Sequence, residues 1–325
     1  MLRNAAIAVV SMFLVVSLFT PSSQAKDYPT KPVEILIPFV PGTTMDIMAR
    51  LIADKAPKYL GQPVIAVNRP GGGGSVAAAE IVSSKPDGYK ILYLTNIYFA
   101  ITTKTQKIPF DPSFITPILN LTQLKDGIAV KSDSPWKTFQ DLLDYAKKNP
   151  GNMRWAHSGR GTRDHIGWSF VFKKAGVETT DLPYGGSPEK LAALLGGHVD
   201  SSCMAYAPIK DHIKAGTLRY LAVSSSQRYN DLPDVPSIAE AGFPEMGKLA
   251  IYTGFYVHKD TPPDVKKTIS DGFGKVTDDP EFKKAVEKVG EELKLGGPDF
   301  IKEAIKGAEE VGIPIVKQLG LYKGK

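Results

Sequence analysis

The stretch 33–46, which reads VEILIPFVPGTTMD, decides the fold of this chain. Its apolar start predicts a buried strand at Val33–Ile37, and the following PFVPG predicts a sharp turn. Met48, Leu51 and Ile52 then recur at the spacing of one buried helix face. A helix start has unpaired N–H groups and partial positive charge, so this turn is suited to bind an anion. An ordinary turn between a strand and a helix is the alternative.

Strand-like runs and helical patterns alternate along the rest of the chain. A predicted helix at 44–59 precedes a strand at 64–67, and a helix at 138–149 precedes a strand at 154–157. This alternation predicts an α/β fold with a mostly parallel sheet and helices on both faces. Segment 232–325 holds a single strand-like run, so we expect it to complete the first lobe.

We therefore predict two α/β lobes with a ligand cleft between them. Residues 26–123 and 228–325 form a discontinuous first lobe, and residues 124–227 form an inserted second lobe. The chain crosses between the lobes near residues 124 and 227. Ligands of open α/β sheets bind outside the carboxyl ends of the strands, and two crossings act as a hinge for closure.

The N-terminus predicts export. Arg3 precedes an apolar run from residue 5 to residue 19, and Ser23-Gln24-Ala25 has the small residues of a cleavage site. Residues 1–25 are therefore predicted to be a secretory signal peptide, which places the mature protein in the periplasm. No cysteine lies at this junction, so we expect no lipid anchor. The single cysteine, Cys203, follows a strand-like run and is expected to be a packed thiol.

Composition and motifs argue against several functions. The 40 Lys and Arg are interspersed with 34 Asp and Glu, and no basic stripe with aromatic residues indicates nucleic-acid binding. The sequence has no G-x-S-x-G, H-E-x-x-H or C-x-x-C motif, so we expect no enzyme and no cofactor. His157 and His165 are eight residues apart and have no acidic companion at metal-ligand spacing, so we expect no metal.

Four segments fall at predicted strand-to-helix turns and are expected to face the cleft. They are 41–46, the tetraglycine segment 68–75, 93–98 and 157–165. The glycines lack the residues of a phosphate-binding loop, which favours a structural turn. In the last segment, Arg160 and Arg163 flank a glycine turn before a helix. Because a guanidinium grips a carboxylate with two parallel bonds, this pattern indicates an acid-binding loop. Solvated surface arginines are the alternative.

These motifs resemble, in order, those of the Bug (TctC-like) family, the extracytoplasmic receptors of tripartite tricarboxylate transporters. The opening PFVPG with Asp46 is similar to the family's P-F-A-P-G-G-x-x-D, and 68–73 is similar to N-R-P-G-A-G. Matches to P-D-G-Y at 86–89, to P-Y-D-P at 109–112 and to the glycine turn at 158–165 follow. The resemblance covers nearly all of the mature chain.

The resemblance implies a type II periplasmic-binding-protein fold that closes on a carboxylate. One jaw is the opening turn, and the other is the glycine turn of the inserted lobe. Asp46 is expected to cap its helix or hold a bridging water, because a carboxylate repels an anion. The candidate ligand-binding residues are Phe39, Pro41, Gly42, Thr43, Thr44, Asp46, Asn96, Tyr98, Ser158, Gly159, Arg160, Gly161, Thr162, Arg163, Tyr184 and Tyr206.

Departures from the family pattern bear on the ligand. Thr43 replaces a glycine, Arg160 and Arg163 replace small polar residues, and Leu94, Asn96, Tyr98 and Phe99 replace a small polar segment. We expect a di- or tricarboxylate or an aromatic acid, delivered by a monomeric receptor to the membrane permease subunits of the transporter. A sensory receptor that reports to a two-component system and an exported hydrolase are the alternatives.

Overall fold

The computed structural model describes residues 28–323, which form two β-sheets flanked by helices. The predicted signal peptide at 1–25 lies outside the described residues. The strands are β1 Val33–Ile37, β2 Val64–Asn68, β3 Lys90–Thr95, β4 Ile115–Gln123, β5 Asp126–Lys131, β6 Arg154–His157, β7 Thr180–Pro183, β8 Ser201–Ala205, β9 Leu218–Val223, β10 Tyr252–His258 and β11 Glu292–Gly296.

Helices cover the faces of both sheets. They are α1 Thr44–Lys55, α2 Pro57–Leu60, α3 Ser75–Ser83, α4 Thr103–Thr105, α5 Phe139–Lys148, α6 Arg163–Lys174, α7 Ser187–Leu195, α8 Lys210–Lys214, α9 Pro244–Gly247, α10 Pro263–Asp278, α11 Pro280–Val289 and α12 Pro298–Gln318. Among residues 28–323, none of these helices combines the length and apolar character that a membrane span requires.

Both sheets are mixed, so the prediction of a mostly parallel sheet is wrong. The first sheet has the strand order β11-β4-β10-β3-β1-β2, and the second has the order β7-β6-β8-β5-β9. In the first sheet β1 runs parallel to β2 and β3, whereas β10 runs antiparallel to β3 and β4. The reason is that β4 leads the chain into the second sheet and β10 brings it back, so the two run in opposite directions.

The opening stretch forms the centre of the first core. Strand β1 lies between β2 and β3, and Val33, Ile35, Leu36 and Ile37 are fully buried. A strand covered on both faces is apolar throughout rather than alternating, which explains the run that begins the stretch. Helix α1 lays Met45, Met48, Ala49 and Ile52 on this sheet. Burial of each large apolar side chain contributes about 1.5–3 kcal/mol.

Apolar packing also joins the two sheets. The long helix α12 contacts α6, and its Ile315 and Val316 belong to one buried cluster with Trp168. Segment 236–249 follows β9 and stays with the second sheet: Ile238 N–H donates to Val223 O at 2.8 Å, and Met246 packs in the same cluster as Trp168.

The buried Glu291, just before β11, predicts a pH-dependent loss of stability. Neither carboxylate oxygen of Glu291 has a hydrogen-bond partner among residues 28–323. Burial raises the pKa of this carboxyl group to about 8, although the nearby Lys125 acts to lower it. The folded protein therefore holds a proton there that the unfolded chain loses above a pKa of 4.5, so stability falls as pH rises from 4.5 to 8. Asp126 and Asp231 reinforce the shift.

We expect Glu291→Gln to remove this pH dependence. Relative to the natural protein, its free energy of unfolding should rise by about 1.4 kcal/mol per pH unit between pH 5 and pH 8. Urea denaturation at several pH values measures the difference, with the exposed neighbour Glu292→Gln as the control. A difference that stays constant over this range would contradict the assignment.

Candidate ligand-binding site

A cavity of about 120 Å³ lies between the two sheets, where three helices begin. Its walls include the first turns of α1, α6 and α7, contributed by both sheets. The N–H groups of a first helical turn have no helical carbonyl to bond, and the helix dipole adds partial positive charge. The cavity is therefore suited to an anion. Of the predicted site residues, those that line it are Phe39, Thr43, Thr44, Ser158, Thr162 and Arg163.

The opening turn is held by its own carboxylate. Gly42 has a φ of 82°, and its N–H donates to Asp46 Oδ2 at 2.9 Å. The other oxygen, Oδ1, accepts from Arg50 Nε at 3.0 Å and from Asn68 Nδ2 at 2.9 Å. Burial would raise the pKa of Asp46, but these bonds outweigh it and lower the pKa. Asp46 thus fixes the turn, while Thr43 Oγ1 caps α1 by accepting from Asp46 N–H.

Two histidines hold the glycine turn of the second sheet. His157 Nδ1 accepts from Gly159 N–H, and His165 Nδ1 accepts from Gly161 N–H, each at 3.2 Å. Burial and the neighbouring His157 lower the pKa of His165 to about 4, so this imidazole is neutral at neutral pH and can accept. Because Nδ1 accepts in both rings, Nε2 is the nitrogen that carries the ring proton.

Both Nε2 atoms face Asp181, so the expectation that the histidines lack an acidic companion is wrong. His157 Nε2 lies 3.0 Å and His165 Nε2 lies 3.8 Å from Asp181 Oδ2. Sequence separation concealed this, because Asp181 comes from the neighbouring parallel strand β7. If a metal bound both Nε2 atoms, each ring proton would have to move to Nδ1, which now accepts a glycine N–H. In addition, the Asp181 carboxylate is already paired with Arg160. We therefore assign the cluster to positioning the glycine turn.

The two predicted arginines have different surroundings. Arg160 is 65% exposed, lies outside the central cavity and pairs with Asp181 at 3.1 Å. Arg163 is buried, and its Nη1 donates to Asp126 Oδ2 at 2.5 Å. Its other two nitrogens donate to the carbonyls of Ser224 and Leu249. Both guanidinium groups therefore have carboxylate partners within the protein.

Lys190 is a site residue that the sequence analysis missed. It lies on α7, is 2% exposed and lines the cavity. Its Nζ donates to Ser158 Oγ at 2.8 Å and to Cys203 O, and it lies 3.4 Å from Asp164 Oδ2. Burial would raise the pKa of Asp164, but the Lys190 ammonium holds it well below its usual range. In the sequence, the helix start at Gly186-Ser187 was the feature that could have indicated this part of the cavity, whereas nothing marked Lys190 itself.

Hydroxyl groups from both sheets can donate into the cavity. Thr44 is 3% exposed, and its Oγ1 has no hydrogen-bond partner among the described residues. Ser158 Oγ accepts from Lys190 Nζ, so its own proton is directed elsewhere. Ser187 lines the same cavity at the start of α7. A buried donor without a partner costs about 1–3 kcal/mol, which a bound acceptor would recover.

The remaining predicted residues lie around the cavity without lining it. Asn96 bonds to Tyr252 N–H and to two carbonyls, and Tyr98 OH donates to Ser75 Oγ. Gly159 and Gly161 form the glycine turn beside Arg160. The others, by location, are Pro41, Gly42 and Asp46 in the opening turn, half-buried Tyr184 before α7, and buried Tyr206 after β8.

The opening turn contacts the second sheet across the cavity. A Cβ built on Gly186, at the start of α7, would lie 3.0 Å from both Thr43 Cγ2 and Val40 Cγ2. On the other side, Gln106 Nε2 donates to Arg160 O at 2.7 Å. The two walls of the cavity are therefore in direct contact in this structure.

Residues 48–321 match the family described as "Tripartite tricarboxylate transporter family receptor", TctC. The chain belongs to this family. Its relatives include the "UPF0065 protein in gbd 5'region" of Cupriavidus necator, which is 32% identical over 328 residues, covering 100% of this chain and 98% of that protein. Members of the TctC family are solute-binding receptors rather than enzymes.

Solved structures share the architecture of this TctC-family chain. The periplasmic binding protein BugD superposes with a TM-score of 0.83 at 26% identity, over 91% of this chain and 100% of BugD. A protein of R. palustris solved with adipate gives 0.84 at 26% identity, over 90% of this chain and 98% of that one. The fold is therefore the two-lobe fold of periplasmic binding proteins, as the sequence predicted.

Proposed function

We propose that this protein captures an organic carboxylate in the periplasm and delivers it to the membrane permease subunits of a tripartite tricarboxylate-type transporter. The observation that carries the proposal is the hydroxyl of Thr44, which has no partner among the described residues and belongs to a residue that lines a cavity at three helix starts in a TctC-family chain. A carboxylate accepts from hydroxyls and from first-turn N–H groups, and the helix dipoles favour its charge.

Closure of two lobes is part of the proposal. We propose that residues 26–123 and the C-terminal segment form the first lobe, and that the inserted segment beginning at 124 forms the second. The sequence pattern predicted the second crossing near residue 227; the packing of segment 236–249 on the second sheet supports our proposal of a crossing near residue 250. A ligand that contacts both lobes favours the closed arrangement by its better fit to that state.

The proposal includes export and the monomeric state. Residues 1–25 would act as the signal peptide, and the mature receptor would act as a monomer. The bound carboxylate would be buried until the permease opens the lobes.

Thermal-shift measurements with a panel of carboxylic acids, amino acids and sugars test the proposed function. We expect at least one carboxylate at saturating concentration to raise the melting temperature, because a ligand that binds only the folded state stabilises it. Stabilisation by sugars or uncharged amides, with no carboxylate active, would contradict the proposal.

We expect Thr44→Val to weaken binding of the best carboxylate. The variant keeps the shape of the side chain and removes the hydroxyl donor, which should cost about 1–3 kcal/mol, or about 5- to 150-fold in Kd. Titration calorimetry measures the change. The control is Thr268→Val on α10, whose hydroxyl bonds within its own helix. Equal affinities for the two variants would show that Thr44 does not contact the ligand.

A further inference from the structure

We infer that the ligand carries a single carboxylate on an apolar body, so that dicarboxylates are poor ligands. This inference rests on the proposed function. The sequence, with Arg160 and Arg163, suggested a di- or tricarboxylate or an aromatic acid, and the inference narrows this class to monocarboxylates. It thereby predicts a ligand different from the dicarboxylate adipate, with which the R. palustris protein was solved.

Cationic and acidic side chains line the central cavity in equal number. The cations are Arg163 and Lys190, and the acids are Asp126 and Asp164. Arg163 pairs with Asp126 at 2.5 Å, and Lys190 lies 3.4 Å from Asp164. Burial raises the pKa of Asp126, and the Arg163 guanidinium beside it opposes that shift. All three nitrogens of the guanidinium also have protein acceptors. Neither cation is left over for a second ligand charge.

A first carboxylate does not need a free cation here. It can accept from the hydroxyls of Thr44, Ser158 and Ser187 and from first-turn N–H groups, with the helix dipoles supplying positive potential. A second carboxylate that lies beyond these helix starts meets the rest of the cavity wall.

Much of the remaining cavity wall is apolar. Ile97 follows β3, Leu124 lies between β4 and β5, and Ile251 precedes β10; Phe39, Met45 and Ala205 belong to the same surface. Thr95 and Thr102 interrupt it, and Thr102 Oγ1 already donates to Gly161 O at 3.4 Å. Leu124 N–H donates to Ile251 O at 2.9 Å, so these backbone groups are already bonded to each other. Burying an unpaired carboxylate against such a surface is costly, whereas a methylene chain or an aromatic ring gains from it.

Calorimetry with pairs of acids that share a skeleton tests the inference. We propose hexanoate against adipate and benzoate against terephthalate at pH 7.5, where all four are ionised. In each pair that binds, the monocarboxylate should bind at least about thirtyfold more tightly, which corresponds to about 2 kcal/mol. Equal or tighter binding of the dicarboxylate would overturn the inference while leaving the proposed function intact. Binding of sugars or amides in place of every acid would overturn both.

Asp126→Asn provides a second test on the same pairs. The substitution keeps the shape of the side chain but leaves the Arg163 guanidinium without its carboxylate partner, so its positive charge is no longer opposed by that acid. The preference for the monocarboxylate should then fall at least about tenfold. An unchanged preference in this variant would overturn the argument from charge balance. If the variant does not fold, Leu124→Lys places a cation on the apolar wall and serves the same purpose.

Discussion

Arg163→Ala is expected to lower the free energy of unfolding by about 3–5 kcal/mol, because it leaves the buried Asp126 carboxylate without its charged partner. Two carbonyls, those of Ser224 and Leu249, lose a donor as well. Urea denaturation of the ligand-free protein measures the loss. The effect is on folding first, and any loss of ligand binding follows from it.

Arg160→Ala is the matched control, since both arginines flank the same glycine turn. The Arg160 side chain is 65% exposed, and exposed ion pairs contribute at most about 1 kcal/mol. We expect this variant to lose less than about 1 kcal/mol and to bind ligand within about twofold of the natural protein. Losses of similar size in the two variants would contradict the assignment of Arg163 to a buried structural pair.

Gly186→Val is expected to weaken ligand binding by about tenfold to a hundredfold while the protein stays folded. A Cβ at this position meets Thr43 and Val40 of the opposite wall at 3.0 Å, so a branched side chain must push the walls apart. Overpacking of this kind costs about 1–3 kcal/mol, here only in the closed arrangement. The φ of 170° is extended backbone that valine adopts without strain.

Titration calorimetry and urea denaturation together separate closure from folding in this variant. Gly297→Val is the control, because nothing lies within 4 Å of a Cβ built there. We expect the control to bind ligand normally. If Gly186→Val binds as tightly as the control, the contact between α7 and the opening turn is not needed for the bound state.

The local sequence pattern predicted many of the strands and helices well, because apolar periodicity, turn residues and helix starts act over only a few residues. The apolar run 33–37 became β1 with the same bounds, and the helix start at Thr44 lies where the turn predicted it. The predicted helix 44–59 is divided at Pro57, which begins α2. Strand direction was predicted less well, since the antiparallel placement of β10 depends on the return of the chain from the other sheet.

The candidate ligand-binding site could be predicted only where a single segment of the sequence forms part of it. Thr44 at the opening turn and Ser158 at the glycine turn line the same cavity. The partners of the arginines were not predictable, because Asp126 lies 37 positions from Arg163 and Asp181 lies 21 positions from Arg160, each on a separate strand. Lys190 shows the same limit, since a lysine on an amphipathic helix has the pattern of a solvated residue until tertiary packing buries it.

A crystal structure of the protein with its best-binding carboxylate tests the central claim most directly. The account predicts a carboxylate between the two sheets, with oxygens within about 3.2 Å of Thr44 Oγ1 and Ser158 Oγ and the ligand body against the apolar wall. A carboxylate bound instead to Arg160, outside the central cavity, would contradict it.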